Sequence, residues 1–167
     1  ETAHILLANI HPELQLSVIE QNKNPKAVIV VDTMNLWIET TFSELKKVLT
    51  FSNILLINES ESKLLTKRAN IENAAEELLG MGPEIVVIKK GSEGAELFSN
   101  RETIKIGAFP VKEVIDPTGA GDVFAGTFIA ALAEKDSNQT ALLKASAMAS
   151  FSIESFGVDR LINLSDY

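Results

Sequence analysis

Apolar runs bounded by turn residues alternate with segments of helical period along this chain. The stretch 3–10, AHILLANI, reads as a strand. In the PELQLSVIEQN that follows, Pro12 stands at a helix start, with Leu14, Val18 and Ile19 on one face. AVIVVD, 27–32, is a continuous β-branched run, the mark of a strand covered on both faces. TFSELKKVL predicts a short helix with Ser43 as its cap, and NILLIN, 53–58, a third strand. ESESKLLTK and NIENAAEELLGM predict two helices, the second closed by Gly80 and Gly82 and stopped by Pro83. EIVVIKKG, 84–91, is a fourth buried strand. GAELFS and ETIKIGAF alternate, with Asn100 and Arg101 between them, which predicts an antiparallel hairpin at a sheet edge. Two long helices complete the chain, 119–135 and 138–156, with Gly157 as the stop of the second.

This order predicts an α/β fold: a mostly parallel sheet with helices on both faces and an antiparallel edge hairpin. No internal repeat, low-complexity tract or linker divides the chain, so residues 1–167 are expected to form a single α/β domain. Ligands of such sheets bind outside the carboxyl ends of the strands. That rule directs attention to Asp32, Asn58, Lys89 to Gly91, and Asp116.

Composition narrows the function. The chain is 46% hydrophobic, enough for a buried core, and carries a net charge of −8. Such a charge argues against nucleic acid or an anionic membrane as the main partner. It leaves an anionic small molecule open, because local N–H groups or a metal override the global field. There is no cysteine, which removes disulfide and thiolate chemistry and suits a cytoplasmic setting. No apolar run approaches the roughly 18 residues of a membrane span. The chain opens on Glu1 and leads at once into a strand, so it reads as part of something longer.

The chemistry gathers at DPTGAGDVFAGTF, 116–128. Asp116, Pro117, Thr118 and Gly119 suit a type I turn. Gly119, Ala120 and Gly121 then open a helix whose apolar stripe is Val123, Phe124, Phe128, Ile129 and Leu132. The first turn of a helix leaves N–H groups unpaired and carries the positive end of the dipole. Without bulky side chains, a phosphate can approach that backbone closely. Asp122 beside it suits acceptance of a proton from a substrate hydroxyl, the other requirement of phosphoryl transfer. On spacing alone, a tightly packed helix entry with an acid favouring the dipole accounts for the same residues. Other phosphate motifs fit worse: Phe124 stands where a dinucleotide fingerprint needs Gly or Ala, and no Gly-Lys-Ser/Thr P-loop occurs.

DPTGAGDVFAGTF resembles the C-terminal signature of the PfkB-type, ribokinase-like carbohydrate kinases, and the resemblance runs over the whole chain, as the C-terminal, nucleotide-binding portion of that fold. It implies ATP-dependent phosphorylation of a sugar or nucleoside hydroxyl, with Asp122 as the catalytic base and the Gly119, Ala120 and Gly121 amides stabilising the transferring group. Thr127 departs from the small Gly or Ala usual there, which bears on helix packing. The spacing of Asn58 and Glu61 is the family's Asn-x-x-Glu, which sits by the triphosphate and Mg²⁺; Glu61 would be the metal-side carboxylate. Asn58 or Ser60 as a helix cap, with acids in the first turn, explains the same residues. KKGSEGA is similar to the family's nucleotide loop, with Gly91 and Gly94 turning close to ATP and Lys89 and Lys90 offered to phosphate oxygens; a hairpin turn with solvated lysines is the plain alternative.

The resemblance also places Thr118 and the Gly157 region at the nucleotide, with Ala149 and Phe156 beside adenine. In some members a monovalent cation binds nearby, where Asp116 stands. Asn9 and Asp32, at strand ends, border the expected acceptor cleft. The family reading also admits a homodimer. It implies further N-terminal strands and a small lid, absent here, so this chain alone is expected to be a poor catalyst. Two other functions fit the same residues: a non-catalytic nucleotide-binding module, and a structural half-domain that assembles with a partner.

Overall fold

The computed structural model describes residues 2–162. Six strands form one sheet in sequence order: β1 (His4–Leu7), β2 (Val28–Asp32), β3 (Ile54–Asn58), β4 (Ile85–Lys89), β5 (Ala95–Ser99) and β6 (Thr103–Ile106). The first four run parallel to one another, β5 pairs antiparallel to β4, and β5 and β6 form the antiparallel edge hairpin that the alternation at 94–109 predicts. Helices α1 (Pro12–Gln21), α2 (Asn35–Thr40), α3 (Phe42–Phe51), α4 (Glu59–Thr66) and α5 (Ile71–Leu79) come between the parallel strands. After the hairpin come α6 (Ala120–Ala133), α7 (Asn138–Ser152) and the short α8 (Asp159–Ile162).

The central strands read as unbroken apolar runs because both faces are covered. Val31, Leu55, Ile57, Val86 and Ile88 pack with Leu45, Val48, Leu49 and Leu78 of α3 and α5 on one side. Their alternates, Val30, Ile54, Leu56 and Val87, pack with Phe124, Phe128, Ala141, Leu142 and Ala145 of α6 and α7 on the other. Phe124 and Phe128 stack at an interplanar angle of 12° with centroids 6.4 Å apart, one helical turn from each other. The sheet is thus clamped between layers, and its carboxyl edge stands fixed.

Three local differences from the sequence reading have physical causes. Ser43 does not cap α3: its hydroxyl donates to the Glu44 carboxylate, and Thr41 is the cap residue. The extra helix α2 fills the connection after β2, with Ile38 buried against the first core cluster. The last long helix ends at Ser152 rather than 156. Ile153 keeps helical dihedrals, but its carbonyl accepts the amides of Ile115 (2.8 Å) and Asp116 (3.1 Å) of the loop before α6, which leaves no lone pair for a continuing helix. Gly157, with φ of 57°, therefore lies in a turn beyond the helix and does not stop it.

Candidate active site

The entry to α6 is a local product of its sequence. The Asp116 carboxylate accepts the Thr118 amide at 2.9 Å, and the Ala120 amide donates to the Pro117 carbonyl at 3.2 Å. Gly119 adopts φ 80° and ψ −3°, the third position of a type II turn, which needs a residue without Cβ strain. The turn therefore spans 117–120 and is shifted by one residue from the predicted type I turn. The Thr118 and Gly157 amides hold the Asp116 carboxyl below the usual carboxylate range. The first intrahelical bond runs from the Val123 amide to the Gly119 carbonyl at 2.9 Å. Ala120's N–H is already paired, so the amides this first turn leaves for a ligand belong to its other residues, Gly121 and Asp122 among them. Ala120 and Gly121 line a cavity; Asp122, the next residue, is exposed and is not one of the lining residues, and neither is Gly119.

That cavity has a volume of about 680 Å³. Asn58 from the end of β3, Lys89 from the end of β4, and Gly91 and Gly94 from the following loop line the side by the sheet. Gly94 has φ of 95°, and a Cβ there would stand 2.1 Å from the Ile106 carbonyl oxygen, so the loop folds against β6 only with glycine. The segment between β6 and α6 adds an apolar wall, Phe109, Pro110, Val111 and Val114. Ala149, with the hydroxyls of Ser146 and Ser150, completes it from α7. A mostly apolar lining with a few polar groups suits a flat aromatic base joined to a charged chain.

Four charged groups meet at the strand ends. Lys89 Nζ lies 3.1 and 3.2 Å from the two oxygens of Asp32, across the end of β3. Asp32 is buried, and burial raises its pKa above the ordinary value; Lys89 offsets part of that rise, and the neighbouring Asp122 charge adds to it. Gln15, buried in α1, anchors this corner: its amide donates to the Ala8 carbonyl at 2.9 Å and to the Leu7 and Asp32 carbonyls at 3.3 Å. Glu61 is buried in the first turn of α4, where it closes a capping box. It accepts the Asn58 amide at 2.9 Å, while Asn58 accepts the Glu61 amide at 2.8 Å. Burial raises the Glu61 pKa against the opposing pull of that amide and of Lys89. Among the described residues no group of three or more His, Cys, Asp or Glu is spaced to hold a metal directly.

The residues singled out in the sequence do not all converge. Asn58, Gly91, Gly94, Ala120 and Gly121 line one cavity, with Glu61 hydrogen-bonded behind Asn58. Lys90, the first residue after β4, is not among the lining residues: it turns away from the cavity and pairs with Glu96 of β5 at 3.0 Å and Glu93 at 3.3 Å. Thr118 and Gly157 serve the Asp116 turn instead of the cavity wall. Asn9 accepts a hydrogen bond from Trp37 Nε1 at 2.8 Å, and Phe156 is 70% exposed and outside the adenine-like slot. The alternation of ETIKIGAF predicts a strand to Phe109, but β6 ends at Ile106, and Ala108 and Phe109 line the cavity with Pro110, Val111 and Val114; the sequence reading assigns this segment no part in the site.

Residues 2–163 match the family described as pfkB family carbohydrate kinase. Among curated relatives, the cytidine kinase of Thermococcus kodakarensis is 33% identical over 131 residues, which cover 74% of this chain and 45% of that protein. The ribokinase of Bacillus subtilis is 37% identical over 100 residues, 60% of this chain and 32% of that protein. The solved structure of Arabidopsis thaliana ribokinase complexed with ribose and ATP superposes with a TM-score of 0.79 at 27% identity, over 93% of this chain and 51% of that one. The chain thus spans about half the length, or less, of the relatives it matches.

Proposed function

This chain belongs to the pfkB family of carbohydrate kinases, and from that premise we propose that it forms the nucleotide half of a kinase transferring the γ-phosphoryl group of ATP to a hydroxyl of a sugar or nucleoside. The observation that carries the reading is the opening of the α6 N-terminus, at Ala120 and Gly121, into the 680 Å³ cavity, with the exposed Asp122 the next residue of the helix. Asp122 takes the acceptor's proton as the oxygen attacks phosphorus. The bond from phosphorus to the bridging oxygen breaks, and ADP leaves with that electron pair. The unpaired amides of the first turn of α6 hold the negative charge that grows on the travelling group.

The cavity fits ATP on this structure's own features. The apolar wall and α7 take the base, and the glycines at 91, 94 and 121 let backbone approach the phosphates. The donor set fits Mg²⁺ only as a hydrated ion: Glu61 is the nearby carboxylate, one of its oxygens is held by Asn58, and the remaining ligands would be water and the nucleotide's own oxygens. Bound there, Mg²⁺ screens phosphate charge. The Asp116 carboxylate is taken up by backbone amides, so a monovalent cation beside it would rest on carbonyl groups. Calorimetry with ATP and Mg²⁺, joined to amide chemical shifts, tests the site. Saturable binding with shifts at Gly119, Gly121 and Asp122 is expected, and no heat of binding would sink the reading. An ADP-release screen across sugars and nucleosides then identifies the acceptor.

A further inference from the structure

The ion pair between Lys89 and Asp32 has no part in the reaction outlined above, yet it stands in the wall of the same cavity. We propose that Lys89 contacts the terminal phosphoryl group of a nucleoside triphosphate, and that Asp32 is the positioning residue that holds its ammonium beside the first turn of α6. The inference rests on the reading of this cavity as a nucleotide site, and it names which part of the nucleotide the pair distinguishes.

Among the described residues that line the cavity, Lys89 is the one with a charged side chain. It ends β4, Asp32 ends β2, and β3 runs between them, with Asn58 opposite Lys89 in register. The ammonium therefore reaches across a strand end to both oxygens of Asp32, at 3.1 and 3.2 Å. An ammonium has three N–H donors, and two carboxylate oxygens leave at least one of them for another acceptor. Its direction is given by Gly121: Nζ is the nearest atom, 3.4 Å away, to where a Cβ on that residue would stand. Lys89 thus points at the amides proposed to receive the transferring phosphoryl, not at the base slot.

The pair's energetics fit a charge kept in place for use. The Lys89 and Asp32 side chains are 17% and 7% exposed, so both groups have lost most of their water. A pair so desolvated gains little net stability over apolar side chains of like volume, while losing one partner strands the other. Asp32 therefore keeps the ammonium at this spot when no ligand is bound. Glu61 and Asp122 leave the strand ends with more negative than positive charge, so an arriving phosphate meets repulsion unless a cation faces it. Lys90 shows the contrast, spent on Glu93 and Glu96 away from the cavity.

The test is the affinity of the 167-residue chain and its variants for ATP, ADP and inorganic tripolyphosphate by calorimetry, with Mg²⁺ present throughout. Lys89→Met should weaken ATP and tripolyphosphate about tenfold or more while ADP changes by less than about twofold, since a charged hydrogen bond to the terminal phosphate is lost. Asp32→Asn, which keeps an oxygen for the Thr33 amide, should shrink the ATP-to-ADP affinity ratio in the same direction, and it decides the matter should Lys89→Met fail to fold. Equal losses for ATP and ADP, or no loss, overturn the assignment while leaving the nucleotide site standing. If the unmodified chain binds neither nucleotide, the nucleotide reading falls. The tripolyphosphate arm then decides alone: binding weakened about tenfold by Lys89→Met supports the contact, and unchanged or absent binding refutes it.

Discussion

Glu61 shows how one side chain serves architecture and electrostatics together. Its carboxylate closes the capping box of α4, and its burial raises its pKa above the ordinary 4.5. A carboxyl with a raised folded-state pKa binds its proton more tightly when folded. Its contribution is therefore most favourable at low pH and declines as pH climbs from the unfolded value through the folded one. Glu61→Gln keeps an acceptor for the Asn58 amide and cannot ionise. Urea midpoints from about pH 4 to about pH 7 should therefore shift steadily in favour of the Gln variant relative to the unmodified chain. A gap that moves the other way contradicts the assigned burial. Gly94→Ala should cost at least about 2 kcal/mol of stability, because the strained φ and the clash with the Ile106 carbonyl add. A melting curve within a degree of the unmodified chain would show that the loop relaxes freely. The type II turn at Gly119 lies at this scale too. The residue types at 116–119 announce a turn, but its register depends on which amide reaches Pro117, and that is a matter of one bond.

At the scale of elements, the sequence is most legible where burial writes a period. The runs at 27–32, 53–58 and 84–91 are strands because both faces are covered, and the alternation at 94–109 is a hairpin because the sheet ends there. What the sequence does not carry is whatever a distant segment imposes. The helix at 138–156 stops early because amides at 115 and 116 claim the Ile153 carbonyl, a contact no local pattern records. The pairing of Asp32 with Lys89 depends likewise on β2, β3 and β4 lying in that order, since the residues stand 57 apart in the chain. Both residues sit at predicted strand ends, so their neighbourhood was readable and their partnership was not. The α6 layer rests on Phe128, which has no exposed surface and stacks on Phe124. Phe128→Ala should destabilise the chain by about 3–5 kcal/mol and loosen the helix whose first turn forms the site. Denaturant titration checks the first effect, and amide exchange at 120–124 the second. A loss under about 1 kcal/mol would mean that α6 is held chiefly from elsewhere.

For the molecule as a whole, the sheet places its carboxyl edge, the glycine turn before α6 and the apolar wall before that turn around one opening. The family motif names the glycines and the acid. The fold adds what the motif does not contain: a part-buried ion pair whose lysine lines the cavity, a capping box that fixes Asn58 and Glu61 together, and a slot walled by the segment at 109–114. No described helix is long and apolar enough to cross a membrane. With Mg²⁺ present, ATP at about a hundred times its dissociation constant should stabilise the folded chain by about 2.7 kcal/mol; removing Mg²⁺ with a chelator should reduce that gain, as thermal unfolding would record. The measurement that most directly tests the central claim is the Asp122→Asn variant of the protein at its natural length, with phosphoryl transfer and ATP affinity determined side by side. The account predicts a turnover lower by about a hundredfold or more with ATP affinity within about twofold, since a proton acceptor is lost and the amides remain. Turnover close to that of the unmodified protein would contradict it.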